Sequence, residues 1–247
     1  MKILAIAAHP DDIEFLCAGT LALLRQRGHS IALATVANGG CGSATLTPAE
    51  IACVRAEEAG NAAAVLDAEY YGAGVDDLEI VFSNDIRRQA VEILRITRPD
   101  MIITHFPEDY MLDHEITSKI ARDAAFSASV PNYPTHAENP APPTAKIPHL
   151  YYMSPLDGIT IFGKPVEFQF VIDISSVMDT KVEMLGCHAS QRAWLQRQHG
   201  MDEYVEHMKR NSAGMGRRQG YEFGEGFCQH LGHAYPGDNL LAKLLEG

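Results

Sequence analysis

The chain is predicted to fold as an α/β protein with a doubly wound, mainly parallel sheet and helices on both faces. Three observations predict it. Short, continuous apolar runs recur along the first half of the chain, as strands buried on both faces require. Longer amphipathic segments separate them, giving the βαβ rhythm of a parallel sheet. Two of the runs pass without a spacer into polar residues, as happens where a site lies beyond the carboxyl ends of the strands.

Taken in order, KILAIAA near the N-terminus reads as a buried parallel strand, and AHPDD follows it directly. From about Phe15 to Arg27 the leucines fall among polar residues, and Gly28 stands where a helix ends in a left-handed turn. IALATVA (31–37) is a second strand, followed by the glycine-rich loop NGGCGS. Pro48 opens a helix through about Leu66, proline being tolerated in the first turn. Asp85 to Thr97 is a further helix, stopped by Arg98-Pro99. Residues 100–104 form a third strand, again with a polar sequel, and His114 to about Ala128 is helical. The segment 131–148, rich in Pro and polar residues and without periodicity, is expected to be an active-site loop. HLYYM and EFQFVIDI are two more strands, and Ser175 is the expected N-cap of the helix after them. No repeat or linker divides the chain, so one domain over 1–247 is expected, its C-terminal part extending over the strand ends.

Composition removes several function classes. The 247 residues carry a formal net charge of −12, which argues against nucleic acid or an anionic membrane as partner. No uninterrupted apolar run reaches the ~18 residues of a membrane span. The apolar N-terminal run lacks a cleavage-like site, so no signal peptide is read. Five scattered cysteines do not form a disulfide framework. A soluble cytoplasmic protein is expected.

The polar sequels carry the chemistry. His9 and Asp12 stand three apart at one strand end, and His114 follows a second strand. Two imidazoles and a carboxylate make a three-ligand set with an open position, the pattern of a catalytic zinc site. Such N/O ligation also suits Fe(II) or another divalent ion. Asp11 adjoins the ligands and is the candidate general base for a water acidified by the metal. Asp113, beside His114, could hold a ring N–H of a site histidine.

AHPDDIEFLCAGTLALLRQRGH with the NGGCGS loop, RAEEA (55–59) and PDMIITHFPEDYMLDHEIT (99–117) resemble the PIG-L/LmbE family of metal-dependent N-deacetylases, with HASQR (188–192) a weaker match. The resemblance implies a Rossmann-like fold, a homo-oligomer, and hydrolytic removal of an N-acetyl group from an amino sugar such as an N-acetylglucosamine derivative. It implies His9, Asp12 and His114 as metal ligands, Asp11 as base, Arg55 in the substrate pocket and Asp113 as the acidic residue behind the ligands. The sequence departs from the family where Met111 occupies a histidine position, and a thioether cannot donate a proton. Tyr110, His105, His188, His230 and His233 are the candidates to compensate, His188 and His233 foremost. Tyr110 and His105 are also placed on the substrate side. His29, His199 and His207 read as solvated helix positions. Two other classes fit part of the pattern. One is a metal- and ligand-binding protein of this fold that has lost deacetylation; the other is a phosphoacceptor receiver domain, which is shorter and lacks the His-Pro before Asp11.

Overall fold

The computed structural model describes residues 1–192 and 204–245. Seven strands lie in one sheet in the order β3-β2-β1-β4-β5-β7-β6. They are β1 (Lys2–Ala7), β2 (Ser30–Ala37), β3 (Glu69–Val75), β4 (Met101–Thr104), β5 (His149–Met153), β6 (Phe170–Asp173) and β7 (Gly224–Gln229). The first five in spatial order run parallel; β7 is antiparallel to both β5 and β6. This is the mainly parallel, doubly wound arrangement expected from the sequence.

Alternation along β1 explains the three layers. Ile3, Ala5 and Ala7 face one apolar cluster, Leu4, Ile6 and Ala8 the other, and all are buried. The first face is covered by α1 (Asp12–Leu16), α2 (Ala18–Gln26) and α6 (Met178–Gly186). The second is covered by α4 (Asn84–Thr97) and α5 (Leu112–Ser127). α3 (Pro48–Val65) begins with a capping box between Thr47 and Glu50, and packs beside α6 and β3. α7 (Tyr204–Arg217) and α8 (Leu240–Leu245) complete the described helices. None of the described helices is long and apolar enough to cross a membrane.

Four local expectations are corrected. The helix expected from Phe15 starts at Asp12 and is broken at Cys17, whose φ is −142°. The cause lies far away in sequence. The Glu225 carboxylate accepts from the amides of Gly19 (2.9 Å) and Thr20 (2.7 Å), capping α2 as a separate helix. Ser175 caps nothing; its hydroxyl donates to Asp173 at 2.6 Å and accepts from the Phe223 amide. β3 was not expected, because EYYGAGV carries two glycines and no clean apolar face. Residues 131–148 do not form an active-site loop: they run past the amino end of β4, where Ala141 N–H donates to Glu92 and Lys146 pairs with Asp100. None of them lines the main cavity.

The strand order reverses between β1 and β4, so the loops after these strands diverge and leave a crevice at their carboxyl ends. His9 follows β1, His105 follows β4, and His114 lies in the first turn of α5. The fold alone therefore brings residues a hundred positions apart to one place.

Candidate metal and hydrolytic centre

A cavity of about 500 Å³ opens over this crevice, within the size range of small-molecule sites. His9, Asp11, Asp12 and His114 line it, with Arg55, Asp77, Tyr110, Met111, Tyr204 and His207 around them.

Backbone geometry aims the first group. Asp11 adopts a left-handed conformation (φ 108°) at the start of α1. This turn separates Asp11 from Asp12, whose Oδ2 accepts from the His9 amide at 2.7 Å. Asp12 then spans both imidazoles, at 3.4 Å from His9 Nδ1 and 3.4 Å from His114 Nε2. Ligands ~2.0–2.1 Å from a tetrahedral zinc lie roughly 3.3–3.4 Å apart, so the spacing and the N/O donor set fit a divalent ion. One ligand atom from each of the three residues lies within 4.8 Å of the others, and this trio could hold such a metal.

Behind the donors stands a ring of carboxylates. His9 Nε2 is 3.1 Å from Asp77 and 3.2 Å from Asp113; His114 Nδ1 is 3.0 Å from Asp109. Asp113 therefore holds His9, the imidazole that follows β1, and Asp109 holds His114. Burial by itself would lower the pKa of both imidazoles. The bonds to Asp113, Asp12 and Asp77 overcome this and raise His9 well above its ordinary value. Asp12 and Asp109 push His114 up to about 9. Such partners fix ring orientation and typically contribute 10–100-fold to metal affinity. Asp109→Ala is accordingly expected to weaken zinc binding about 10–100-fold, measured by competition with a chromogenic chelator.

Asp11 stands just outside the donor set. Its Oδ1 pairs with Arg55 at 3.2 Å, and its Oδ2 accepts from the Tyr204 hydroxyl at 2.5 Å. Burial raises its pKa; Arg55 opposes this and the neighbouring Asp12 charge adds to it. Tyr204 is itself pushed well above 10 by burial and by the charge of Asp11, so its hydroxyl stays a donor.

Arg55 is buried, and besides Asp11 it donates to the carbonyls of Pro10 and Gly39. The guanidinium crosses Gly39 so closely that a Cβ there would meet Arg55 Nη1 at 2.5 Å, which with a φ of +70° explains glycine at this position. Arg55 is thus a clamp on Asp11, while nearby Glu58 accepts from the amide and the hydroxyl of Ser190.

The other predicted residues divide. Tyr110 lines the cavity, largely exposed, its ring standing edge-on to His114 with centroids 5.3 Å apart. His105 is wholly buried and outside the cavity lining: its Nε2 lies 3.0 Å from the Ala8 amide and 3.1 Å from Asp12, and its ring stacks on His114 at 4.0 Å. His188 is also wholly buried, with Nε2 3.5 Å from Glu14, and it does not reach the cavity. His230 accepts or donates at the Tyr152 hydroxyl, and His233 is exposed in the segment beyond β7; neither lines the cavity. His207, expected as a solvated helix face, lines the cavity. His199 lies outside the described residues. Asp77, Asp109 and Tyr204 had no assigned role in the sequence. Asp109 opens the D-x-x-x-D-H stretch and was within reach of a motif argument; Asp77 and Tyr204 are brought in by the fold alone.

Comparison with known proteins accords with this geometry. The chain is 24% identical over 196 residues to 4-oxalmesaconate hydratase of Pseudomonas putida (strain KT2440), covering 76% of this chain and 73% of that protein. It is 25% identical over 197 residues to diacetylchitobiose deacetylase of Thermococcus kodakarensis, covering 77% of this chain and 70% of the relative. In three dimensions it superposes on N,N′-diacetylchitobiose deacetylase from Pyrococcus horikoshii with a TM-score of 0.76 and 22% identity, over 97% of this chain and 88% of that one. The family described as PIG-L, GlcNAc-PI de-N-acetylase, matches residues 4–125, the stretch that contains His9, Asp11, Asp12 and His114. Over residues 4–125 the chain carries a PIG-L family domain.

Proposed function

We propose that the protein is a metal-dependent hydrolase that removes an N-acetyl group from an amino sugar or amino-sugar conjugate. The observation that carries this reading is the placement of Asp11, a buried carboxylate held by Arg55 and Tyr204, beside the three-donor set on one cavity. His9, Asp12 and His114 would hold the ion, with zinc the best match to the donors and Fe(II) an alternative. A divalent ion bound there supplies Lewis-acid polarisation of an acyl oxygen and acidifies water.

The chain's own residues supply the rest. Asp11 takes a proton from the attacking water, and the hydroxide adds to the acyl carbon. Arg55 keeps the Asp11 carboxylate aligned from one side and Tyr204 from the other. Asp77, Asp113 and Asp109 fix the two imidazoles in the orientation in which they would hold the ion. The C–N bond then breaks and the amine leaves once it gains a proton.

Met111 favours one competing reading, in which the same donors serve a chemistry without an amine leaving group, such as hydration of a carbon–carbon double bond. Charge argues against a polycarboxylate substrate for such a reaction. Asp11, Asp12 and Asp77 line the cavity, while Arg55, the one Lys or Arg in its described lining, is already bonded to Asp11. A neutral amide that yields an ammonium product suits this lining better. The test is acetate release from N-acetylglucosamine and its simple glycosides by chelated protein and by protein reloaded with Zn²⁺ or Fe²⁺. Activity that returns with metal is expected; metal uptake with no acetate release from any of these amides would contradict the proposal.

A further inference from the structure

The proton for the leaving amine has no donor at position 111, where the chain carries methionine. Methionine 111 nonetheless faces the cavity, and so does an imidazole from the opposite end of the sequence. We infer that His207, oriented by Asp157, is the group that protonates the leaving nitrogen. This rests on the amide-hydrolase reading above and adds a residue that neither the sequence motifs nor the relatives' names point to.

Four observations carry it. First, α7 is docked on the reaction centre by its first residue, since Tyr204 donates to Asp11 at 2.5 Å. His207 is three residues on, roughly 4.5 Å along the axis and on the same helical face. Second, both rings flank Phe15, with centroids 6.1 Å away for Tyr204 and 5.3 Å for His207, so they share one wall of the cavity. Third, the imidazole has an orienting carboxylate: His207 Nε2 lies 3.3 Å from Asp157 Oδ1. Asp157 is itself fixed, because its amide donates to Asn211, one turn beyond His207 on the same helix, at 2.9 Å. Asp157 also holds a left-handed conformation (φ 57°) and directly follows Leu156, another lining residue. An imidazole with a carboxylate partner beside a reaction centre has the geometry of an acid–base residue. Fourth, the His207 side chain is 39% exposed, so it can exchange protons with solvent between turnovers.

The step balances as follows. Asp11 has taken one proton from water, and the hydroxide oxygen is bonded to the acyl carbon. The C–N bond breaks and its electron pair passes to nitrogen, which takes a proton from the protonated imidazole of His207. The products are a carboxylic acid and a primary amine. The proton held by Asp11 returns through pocket water to His207, and both groups regain their starting state. Tyr204 does not compete for this step, since its hydroxyl is committed to Asp11 and is held well above its ordinary pKa by burial.

The experiment compares a leaving group that needs a proton with one that does not. Metal-loaded wild type, His207→Asn and Asp157→Asn are assayed on N-acetylglucosamine glycosides and on 4-nitrophenyl acetate, whose phenolate leaves unprotonated. The ratio of amide to ester kcat/KM is expected to fall about 10²-fold or more in His207→Asn and by less in Asp157→Asn. Added imidazole is expected to restore part of the amide rate in His207→Ala. An active wild type whose amide-to-ester ratio is unchanged in His207→Asn overturns the inference alone. A wild type that hydrolyses none of these amides overturns the deacetylase reading and this inference with it.

Discussion

Replacing Asp11 by Asn is expected to lower kcat/KM for amide hydrolysis by about 10³-fold, within the ~10²–10⁴ range of general acid–base catalysis, while leaving metal content unchanged. The substitution isolates the proton-accepting role. Asn keeps the shape of Asp and can still accept from Tyr204, but its amide cannot take up a proton at neutral pH. It also tolerates the positive φ of 108° at this position better than other side chains, so the turn that aims Asp12 is preserved. Asp11 is outside the trio His9, Asp12 and His114, so the ion should stay. Steady-state kinetics paired with metal analysis of the same preparation check this. Full activity in metal-loaded Asp11→Asn would falsify the assignment of the base.

The largest effect on stability is expected some distance from the cavity. Lys181 donates to Glu225 at 2.5 Å, and both side chains are almost wholly buried, at 0% and 2% exposed. The same Glu225 carboxylate caps the Gly19 and Thr20 amides that begin α2. Removing one partner of a buried pair leaves the other charge uncompensated, which costs about 3–5 kcal/mol. Glu225→Gln should therefore destabilise by that amount in urea unfolding, because Gln keeps an acceptor for the helix amides but leaves Lys181 unpaired. Lys181→Met/Glu225→Gln should be less destabilised than the sum of the two single variants, since the pair is lost once rather than twice. Additive effects, or a Glu225→Gln variant within about 1 kcal/mol of wild type, would show that the pair matters little.

These two sites also mark where the sequence could and could not be read. β1, β2 and β4 were legible because each is a short apolar run buried on both faces, and the candidate donors His9, Asp12 and His114 drew notice because they follow such runs. The break between α1 and α2 was not legible: nothing in FLCAGT announces it, and its cause, Glu225, is brought up by β7, three strands along the sheet from β1. β3 escaped because Gly72 and Gly74 interrupt its pattern. In the site, Asp113 was legible as a partner of an imidazole, but which imidazole depended on the fold, which turns it to His9. Tyr204 and His207 carry no local signal at all. They follow from the docking of α7 against α1, and a histidine on a polar helix face looks solvated until that contact is known.

His105 and His188 make the complementary point. Each sits in a motif-like stretch, and each is used for internal structure: His105 behind Asp12, and His188 beneath the site beside Glu14. Their burial explains their position without any contact to substrate.

In the proposed function, His9, Asp12 and His114 form one divalent metal site on which Asp11 acts. Equilibrium dialysis against Zn²⁺, with metal analysis of wild type, His114→Ala and Asp11→Asn, tests it most directly. One ion per chain is expected in wild type and Asp11→Asn, with loss of that ion in His114→Ala. Equal, tight zinc binding by His114→Ala would contradict it.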